Sequence, residues 1–208
     1  MIRYVIFDID GTLNQTALYA LAAYKKALKK RGREAGDREI LSCIGLSPAG
    51  IIEKLFNSLT DEELKEWRKD IKDYEFEHME KNAAAFPGVK ECLEKLRDAG
   101  YGLAICSNAY PEHIEHVLEM IGVKQYFPVI GSLKMGNSKP EVLEALLKKL
   151  GCESACMVGD RKFDIEAARV NHIPVIGCAY GYAPEEVRAA DIVITHAGEI
   201  ADAVMKLI

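Results

Sequence analysis

The strongest constraint on this chain is the alternation of short, unbroken apolar runs with longer amphipathic stretches. The apolar runs cover residues 4–7, 103–106, 127–130, 156–158 and 173–176, with 191–194 as a candidate sixth. Apolar runs without polar alternation are typical of strands buried on both faces, as in parallel sheets. The stretches 89–99 and 140–150 are amphipathic with helical spacing. Alternating strands and helices predict an α/β fold with a doubly wound parallel sheet.

Residues 15–84 interrupt this alternation. They contain no run that predicts a strand, whereas the segments 16–31, 51–56 and 62–81 carry helical spacing of apolar residues. Pro87-Gly88 is a turn signal and marks the return to alternating strands and helices. We therefore predict an α/β core made of residues 1–14 and 85–208, with residues 15–84 inserted as an all-helical cap domain.

Charge and cysteine content narrow the function classes. The net charge is −5, from 27 basic and 32 acidic residues, which disfavours nucleic-acid binding. No stretch of eighteen apolar residues predicts a membrane span, and the N-terminus lacks a secretory apolar region. None of the six cysteines forms a Cys-x-x-Cys pair, so we interpret them as reduced structural thiols. We expect a cytoplasmic protein.

Two motifs follow the first two core strands. Asp8 and Asp10 come directly after the first apolar run, and period two would place both on one side of an extended chain. Two neighbouring carboxylates repel each other, and a hard divalent cation relieves that repulsion. Ser107 and Asn108 follow the second strand, where a hydroxyl and an amide can bind a phosphate oxygen. Each motif alone also suits a helix cap.

Two further motifs contribute one lysine and two more aspartates. Lys139 opens a predicted helix, where a cation opposes the helix dipole, although exposed lysines are common. Asp160 follows another buried strand, and Asp164 lies four residues later, within reach on one helical turn. Because open α/β sheets bind ligands at the carboxyl ends of their strands, we expect the four motifs to form one site.

The four motifs together resemble those of the haloacid dehalogenase-like hydrolase superfamily. The matching segments are Asp8-Ile9-Asp10-Gly11-Thr12-Leu13, Ser107-Asn108, Lys139-Pro140, and Gly159-Asp160 with Asp164. The helical insertion and the region 167–187 also resemble the phosphoglycolate-phosphatase-like subgroup. The resemblance implies a Rossmann-like core with a helical cap and a magnesium-dependent phosphatase that acts on a small phosphorylated metabolite. Such an enzyme forms an aspartyl-phosphate intermediate.

The resemblance also implies roles for the first three motifs. Asp8 would be the nucleophile and a metal ligand. Asp10 would be the general acid and base, with its backbone carbonyl as a second metal ligand. Ser107 and Asn108 would hold the transferring phosphoryl group.

The remaining roles concern charge, metal and substrate. Lys139 would balance charge in the catalytic group, and Asp160 and Asp164 would complete the metal site. The loop around Ser47 resembles a subgroup loop that faces the site, so Ser47 is a candidate substrate contact.

Several positions depart from the family pattern. They are Gln15, Ala109, Arg161, Asn171 and Val142, which stands where a second proline is frequent. None removes a catalytic group, but they weaken an assignment to phosphoglycolate. Ala20 stands where mutase relatives carry a cap histidine, which disfavours a sugar-phosphate mutase. Two alternatives stay open: such a mutase, or a non-catalytic protein that binds a metabolite or a partner. The oligomeric state is expected to be monomer or dimer.

Overall fold

A parallel sheet of six strands forms the centre of this computed structural model, which describes residues 2–152 and 154–208. Residues 1 and 153 of the predicted core therefore lie outside the described part. The strands are β1 (Arg3–Phe7), β2 (Gly102–Cys106), β3 (Val129–Gly131), β4 (Ser154–Gly159), β5 (Val175–Cys178) and β6 (Ile192–Ile194). All six predicted runs thus contribute strands, and the prediction of a doubly wound parallel sheet is confirmed.

The order of the strands determines where the sheet can bind a ligand. The order is β3-β2-β1-β4-β5-β6, with every neighbouring pair parallel. The chain thus builds outward from β1 in one direction and then crosses to β4 to build in the other. This reversal opens a crevice at the carboxyl ends of β1 and β4.

Both faces of the sheet are buried, which explains the unbroken apolar runs. In β1, Val5 and Phe7 face one hydrophobic cluster, whereas Ile6 faces the other. The same alternation places Val158 in the first cluster and Met157 in the second. Because neighbouring residues point to opposite faces and both faces need apolar side chains, no polar residue interrupts these strands.

Helices cover the two faces of the sheet. The core helices are α5 (Val89–Asp98), α6 (Pro111–Met120), α7 (Lys139–Leu150), α8 (Lys162–Val170) and α9 (Ile200–Leu207). Pro140 lies in the first turn of α7, and Gly151 ends this helix with a φ of +53°. Proline suits the first turn because an amide hydrogen there would have no partner within the helix, and proline has none. Glycine suits the end of the helix because it tolerates a left-handed conformation.

Four helices separate β1 from α5. They are α1 (Ala17–Lys29), α2 (Asp37–Leu41), α3 (Pro48–Phe56) and α4 (Asp61–Asn82). Trp67 of α4 packs edge-to-face against Tyr24 and Phe56, with ring centroids 5.9 and 4.8 Å away. Asp70 of α4 pairs with Arg31, which follows α1, at 2.9 Å. The inserted helices therefore share aromatic packing and a charged pair of their own.

The chain enters and leaves this helical segment through two connectors that lie side by side. Gln15 N donates to Ala84 O, and Phe86 N donates to Leu13 O, both at 2.9 Å. The side chain of Gln15 also donates to Ala85 O at 2.9 Å. The two covalent connections of the inserted helices to the core thus lie side by side, next to the end of β1. That the segment 15–84 is a separate cap domain stays a prediction.

Candidate active site

The candidate site lies in the crevice where the strand order reverses. Asp8 directly follows β1, and its backbone N–H donates to Val158 O of β4 at 2.9 Å. Asp160 directly follows β4. Since β1 and β4 are parallel neighbours, their carboxyl ends meet, and the two aspartates come together although 152 positions separate them.

Three carboxylates and one ammonium group form the centre of the site. Oxygen atoms of Asp8, Asp160 and Asp164 lie within 4.8 Å of one another, and all three residues are buried. Lys139 Nζ lies 2.8 Å from Asp8 Oδ1 and 2.6 Å from Asp164 Oδ1. Three negative charges and one positive charge leave a formal charge of −2 in a buried place. Buried charge of this size requires a compensating cation.

Burial and mutual repulsion shift the ionisation of these groups. Burial raises the pKa of Asp8 to about 7, against the opposing effect of Lys139. Burial, then the neighbouring Asp8 and Asp164, raises the pKa of Asp160 above its usual range. Burial disfavours the charged form of Lys139, but the two adjacent carboxylates outweigh it and raise the pKa of this ammonium group. The lysine therefore stays charged, while protons compete with a metal for the carboxylates.

The donor atoms fit a hard divalent cation. Asp8 Oδ2 and Asp160 Oδ1 are buried and accept no hydrogen bond from any described residue. Buried oxygens without a partner are costly, and a magnesium ion prefers carboxylate oxygens together with water and phosphate. Its two positive charges would also balance the formal charge of −2. The residues present therefore fit a magnesium ion.

Two glycines allow the backbone to approach Asp160 closely. Gly11 has a φ of +81°, and a Cβ atom there would overlap the Asp160 carboxylate. A Cβ atom on Gly181 would also overlap the Asp160 side chain. The adjacent backbone N–H of Tyr182 donates to Asp160 Oδ2 at 2.9 Å and fixes that oxygen. Only residues without a side chain fit here, which explains Gly11 in the first motif.

Asp10 is held apart from the three-carboxylate group. Its Oδ1 accepts from Thr16 Oγ1 at 2.6 Å and from Asn14 Nδ2 at 3.2 Å. Asn14 is itself buried and also donates to Tyr19 Oη at 2.8 Å. The carboxyl group of Asp10 is thus oriented by hydrogen bonds from Thr16 and Asn14, and Asp10 itself lines the cavity described below. This network was not predictable from the sequence, because its polar members are ordinary cap and turn residues.

Ser107 and Asn108 follow β2 and line the same cavity. Ser107 is buried, and its Oγ accepts from Ala109 N at 3.2 Å. Asn108 Nδ2 donates to Gly45 O of the inserted segment at 3.1 Å. Asn108 therefore joins the core to the loop between α2 and α3, while its predicted role in holding a phosphoryl group stays a prediction.

Ser47 has a local role in this structure. It is the N-cap of α3, and its Oγ accepts from Gly50 N at 3.2 Å. Its neighbours Leu46 and Pro48 line the cavity, whereas Ser47 does not. The predicted substrate contact of Ser47 thus has no support in this geometry, because the hydroxyl satisfies the first turn of its own helix.

A cavity of about 330 Å³ lies over Asp8 and Asp10 and reaches into the inserted helices. Most of its wall is apolar, formed by Leu46, Ile51, Ile52, Leu64, Trp67 and Ile71. The ionisable residues of the wall include Glu75 of α4 and His113 of α6, which the sequence did not single out. Glu75 is one of many acidic residues on α4, and only the packed structure shows that it is buried.

Arg161 links the core to the inserted segment at a second point. Its Nε lies 2.9 Å from Glu186 Oε2, and its Nη1 donates to the carbonyl of Ile44. The side chain is buried although it carries a charge. The sequence showed Arg161 only as a departure from the family pattern, and the structure gives it a binding role between two parts of the chain.

No helix among residues 2–152 and 154–208 combines the length and apolar character that a membrane span needs. All six cysteines are free thiols, and five of them are buried.

Comparisons with known proteins agree with this geometry. The profile of the haloacid dehalogenase-like hydrolase family matches residues 5–178. A phosphoglycolate phosphatase from Haemophilus influenzae is 30% identical over 194 residues, which cover 86% of this chain and 87% of that protein. The phosphoglycolate phosphatase of Yersinia pestis is 30% identical over 216 residues, covering 98% and 93%.

Solved structures show the same fold. The crystal structure of a predicted phosphatase from Clostridium acetobutylicum has a TM-score of 0.87 at 25% identity and covers 100% of both chains. A β-phosphoglucomutase from Clostridium difficile has a TM-score of 0.84 at 20% identity, covering 99% of this chain and 96% of that one, and shows the fold alone. The family predicted from the motifs is therefore confirmed: the chain belongs to the haloacid dehalogenase-like hydrolase family, in which it is a phosphoric monoester hydrolase.

Proposed function

We propose that the protein is a magnesium-dependent phosphatase that hydrolyses a small phosphorylated metabolite through a phosphate ester on Asp8. One observation carries this proposal: a buried group with a formal charge of −2, in which Asp8 Oδ2 and Asp160 Oδ1 lack partners among the described residues. This group lies beside a buried lysine at the carboxyl ends of β1 and β4. Such a site suits a dianionic phosphate together with a divalent cation.

The proposed metal site consists of side chains from Asp8, Asp160 and Asp164, with the backbone carbonyl of Asp10 as a further ligand. When bound, magnesium supplies positive charge that stabilises the oxygens of the transferring phosphoryl group. Lys139 supplies a second positive charge from the side of Asp8 and Asp164. Ser107 and Asn108 are proposed to orient the phosphoryl group by hydrogen bonds.

The chain's own carboxylates carry the proposed bond changes. An oxygen of Asp8 attacks phosphorus, forming an O–P bond while the ester O–P bond breaks, and Asp10 gives its proton to the departing oxygen. A water molecule then attacks the same phosphorus, and Asp10 takes up its proton. The O–P bond to Asp8 breaks, which releases inorganic phosphate and restores both carboxyl groups. Two displacements divide one very slow hydrolysis into two faster steps.

We further propose that residues 15–84 act as a cap over the site. The cavity is lined by residues of both segments, for example Asp8 and Ser107 of the core and Trp67 of α4. A cap that encloses the substrate excludes bulk water, which strengthens electrostatic interactions and protects the phosphoenzyme from uncontrolled hydrolysis.

Hydrolysis is favoured over the two alternatives. The curated relatives at 30% identity are phosphoglycolate phosphatases, which supports a small phosphate ester as substrate. The mutase reaction gains no support from the β-phosphoglucomutase neighbour, since its 20% identity reflects the fold alone. A non-catalytic role is disfavoured because Asp8, Asp160 and Lys139 are all present and in contact distance. Reduced cysteines support a cytoplasmic location within the same proposal.

Hydrolysis of p-nitrophenyl phosphate after treatment with EDTA tests the proposal. We expect no turnover in metal-free buffer and full recovery on addition of magnesium. The Asp160→Asn variant should need far more magnesium, whereas Asp191→Asn, which alters an aspartate paired with Arg169 outside the site, should behave as the wild type. Full turnover without metal would refute the metal mechanism, and no turnover with magnesium would favour the non-catalytic alternative.

A further inference from the structure

The wall of the cavity that faces the site carries a buried acid without a basic partner. Glu75 of α4 has a relative exposure of 9% and lines the cavity together with Asp8 and Asp10. Its nearest ion-pair candidate is His113 of α6, whose Nδ1 lies 3.7 Å from Glu75 Oε2, beyond hydrogen-bond range. Within the described part of the chain, no lysine or arginine pairs with Glu75. A buried carboxyl group in this situation is open to a partner from the ligand.

The titratable groups that face Glu75 supply no positive charge at pH 7. Asp10 lies on the side of the core, and burial together with Asp10 raises the pKa of Glu75 to about 8. From α6, His113 faces Glu75, and burial lowers the pKa of this histidine. The imidazole is therefore neutral at pH 7 and adds no positive charge. Tyr19 and Tyr24 of α1 also lie near Glu75 and are uncharged, since burial raises the pKa of both phenols.

The leaving group of the substrate must enter this part of the cavity. Phosphoryl transfer places the attacking and leaving oxygens roughly in line on opposite sides of phosphorus. Because Asp8 attacks from the core, the leaving group points away from Asp8 and into the cavity beneath α4. The basic residues that line the cavity, Arg68 and Lys72, are exposed to solvent, with Lys72 Nζ 5.5 Å from the centre of the Phe76 ring. A ligand ammonium on this side of the cavity would pair with the Glu75 carboxylate and favour the loss of its proton, whereas a ligand carboxylate would oppose that loss.

We propose that Glu75, beside His113, selects phosphate esters whose leaving group carries an ammonium or another strong hydrogen-bond donor near the ester oxygen, and rejects esters with a carboxylate there. The inference rests on the proposed phosphatase function. The apolar wall formed by Ile51, Ile52 and Ile71 accommodates the carbon skeleton of such a leaving group. Phosphoglycolate, the substrate in the name of the curated relatives, is then a poor substrate for this chain.

Two esters of equal length test the selection. O-Phosphoethanolamine and phosphoglycolate both carry two carbon atoms, and they differ in having an ammonium or a carboxylate at the far end. Their inhibition constants against magnesium-supported hydrolysis of p-nitrophenyl phosphate are measured at about pH 9, where Glu75 with its pKa of about 8 is ionised. They report binding whether or not the two esters are turned over. We expect the ammonium ester to inhibit at least about tenfold more strongly than the carboxylate ester.

A variant without the ionisable group of Glu75 tests whether this residue causes the selection. Glu75→Gln should reduce the difference between the two inhibitors to less than about threefold while p-nitrophenyl phosphate is still hydrolysed. Glu77→Gln is the matched control, because Glu77 lies on the same helix, is exposed and pairs with Lys26 at 2.8 Å, so its variant should keep the wild-type ratio. If Glu75→Gln fails to fold, the wild-type ratio alone decides.

The possible outcomes distinguish failure of the selection by Glu75 from failure of the proposed phosphatase function. Equal inhibition by the two esters, stronger inhibition by phosphoglycolate, or no inhibition by phosphoethanolamine in an active enzyme overturns the role of Glu75 and leaves the phosphatase intact. A wild-type ratio that persists unchanged in a folded Glu75→Gln variant also overturns it. Absence of p-nitrophenyl phosphate hydrolysis with magnesium overturns the proposed function itself.

Discussion

Asp8, Asp160, Asp164 and Lys139 form an arrangement that costs the folded protein stability. Taking several like charges out of water is unfavourable, and one buried lysine cannot offset three carboxylates. A side-chain group built only for stability would replace them with apolar residues of similar volume. The cost is understandable in a site that must bind a cation and a phosphate, since the missing positive charge then comes with the ligands.

The close approach of Gly181 to Asp160 leads to the first prediction. Gly181→Ala adds a methyl group where the Asp160 side chain lies, so this carboxylate must move away from its hydrogen bond with Tyr182 N. We expect the apparent magnesium affinity in the p-nitrophenyl phosphate assay to fall about 10- to 100-fold. Gly36→Ala is the control, because nothing lies within 4 Å of a Cβ atom there. An unchanged magnesium titration for Gly181→Ala would contradict the prediction.

At this scale the sequence predicts some residues and cannot predict others. Asp8 and Asp160 were predictable, because a polar residue directly after a buried strand lies at the carboxyl edge of the sheet. Glu75 was not, since its helix α4 carries acids on most sides and burial depends on which side packs against α1 and α6. Ser47 fits its N-cap position as well as a substrate contact, and pattern alone does not distinguish the two.

At the scale of elements, the loop between α2 and α3 is held to the core by side-chain hydrogen bonds. Asn108 Nδ2 and the guanidinium group of Arg161 donate to the neighbouring carbonyls of Gly45 and Ile44. These two donors come from the ends of β2 and β4, so the loop is fixed beside the candidate site. The contacts are few and polar, which suits an attachment that can open and close.

The second prediction tests this attachment. Arg161→Ala removes the donor to Ile44 O and the ion pair with Glu186, and we expect amide hydrogens of residues 43–46 to exchange about tenfold faster. Hydrogen–deuterium exchange followed by mass spectrometry measures this rate. Arg169→Ala is matched as a control, because Arg169 also pairs with an acid, Asp191, and its other hydrogen bond goes to Ala189 O, so both partners lie in the core. Equal exchange in both variants would show that Arg161 does not hold the loop.

The elements themselves were largely predictable. Strands buried on both faces and amphipathic helices leave a clear pattern, and α7 was bounded by Pro140 and Gly151 as expected. Helix α2 was not predicted because its five residues are too short to show a period. Helix α3 begins at Pro48, before the predicted start at residue 51, since Ser47 caps it and proline suits its first turn.

At the scale of the whole molecule, the order of the strands and the insertion after β1 act together. The reversal of strand order produces the crevice, and the connectors near Gln15 and Ala84 bring four helices over it. The sheet thus supplies the charged groups, while the inserted helices supply most of the apolar wall. Because the charged groups follow the strands and the apolar wall comes from the inserted helices, the catalytic residues can be predicted from the sequence, whereas the wall that faces the substrate cannot.

The third prediction concerns stability and pH. Burial raises the pKa of Asp8 to about 7 and of Glu75 to about 8, from 3.8 and 4.5. The folded metal-free protein then holds protons that the unfolded chain has released, so its stability falls as pH rises through this range. We expect the Tm in EDTA to fall by several degrees between about pH 6.5 and about pH 8. Acids with lowered pKa values, such as Asp70, act below this window.

Magnesium distinguishes the effect of Asp8 on the Tm from the effect of Glu75. At about pH 8 it should restore much of the lost Tm, because it replaces the protons on the Asp8 group but not the proton on Glu75. Glu75→Gln should weaken the pH dependence in EDTA and keep the magnesium effect. A metal-free Tm that rises between the two pH values would contradict the account of these buried carboxyl groups.

In the proposed mechanism, Asp8 becomes covalently phosphorylated and Asp10 gives up and takes back a proton. The most direct test is mass spectrometry of acid-quenched protein after mixing with p-nitrophenyl phosphate and magnesium. Asp10→Asn keeps the nucleophile, and a good leaving group needs little acid, so this variant should accumulate phosphate on Asp8 as dephosphorylation slows roughly 10²- to 10⁴-fold. Asp8→Asn should carry none. Phosphate trapped on another residue, or normal turnover by Asp8→Asn, would contradict the mechanism.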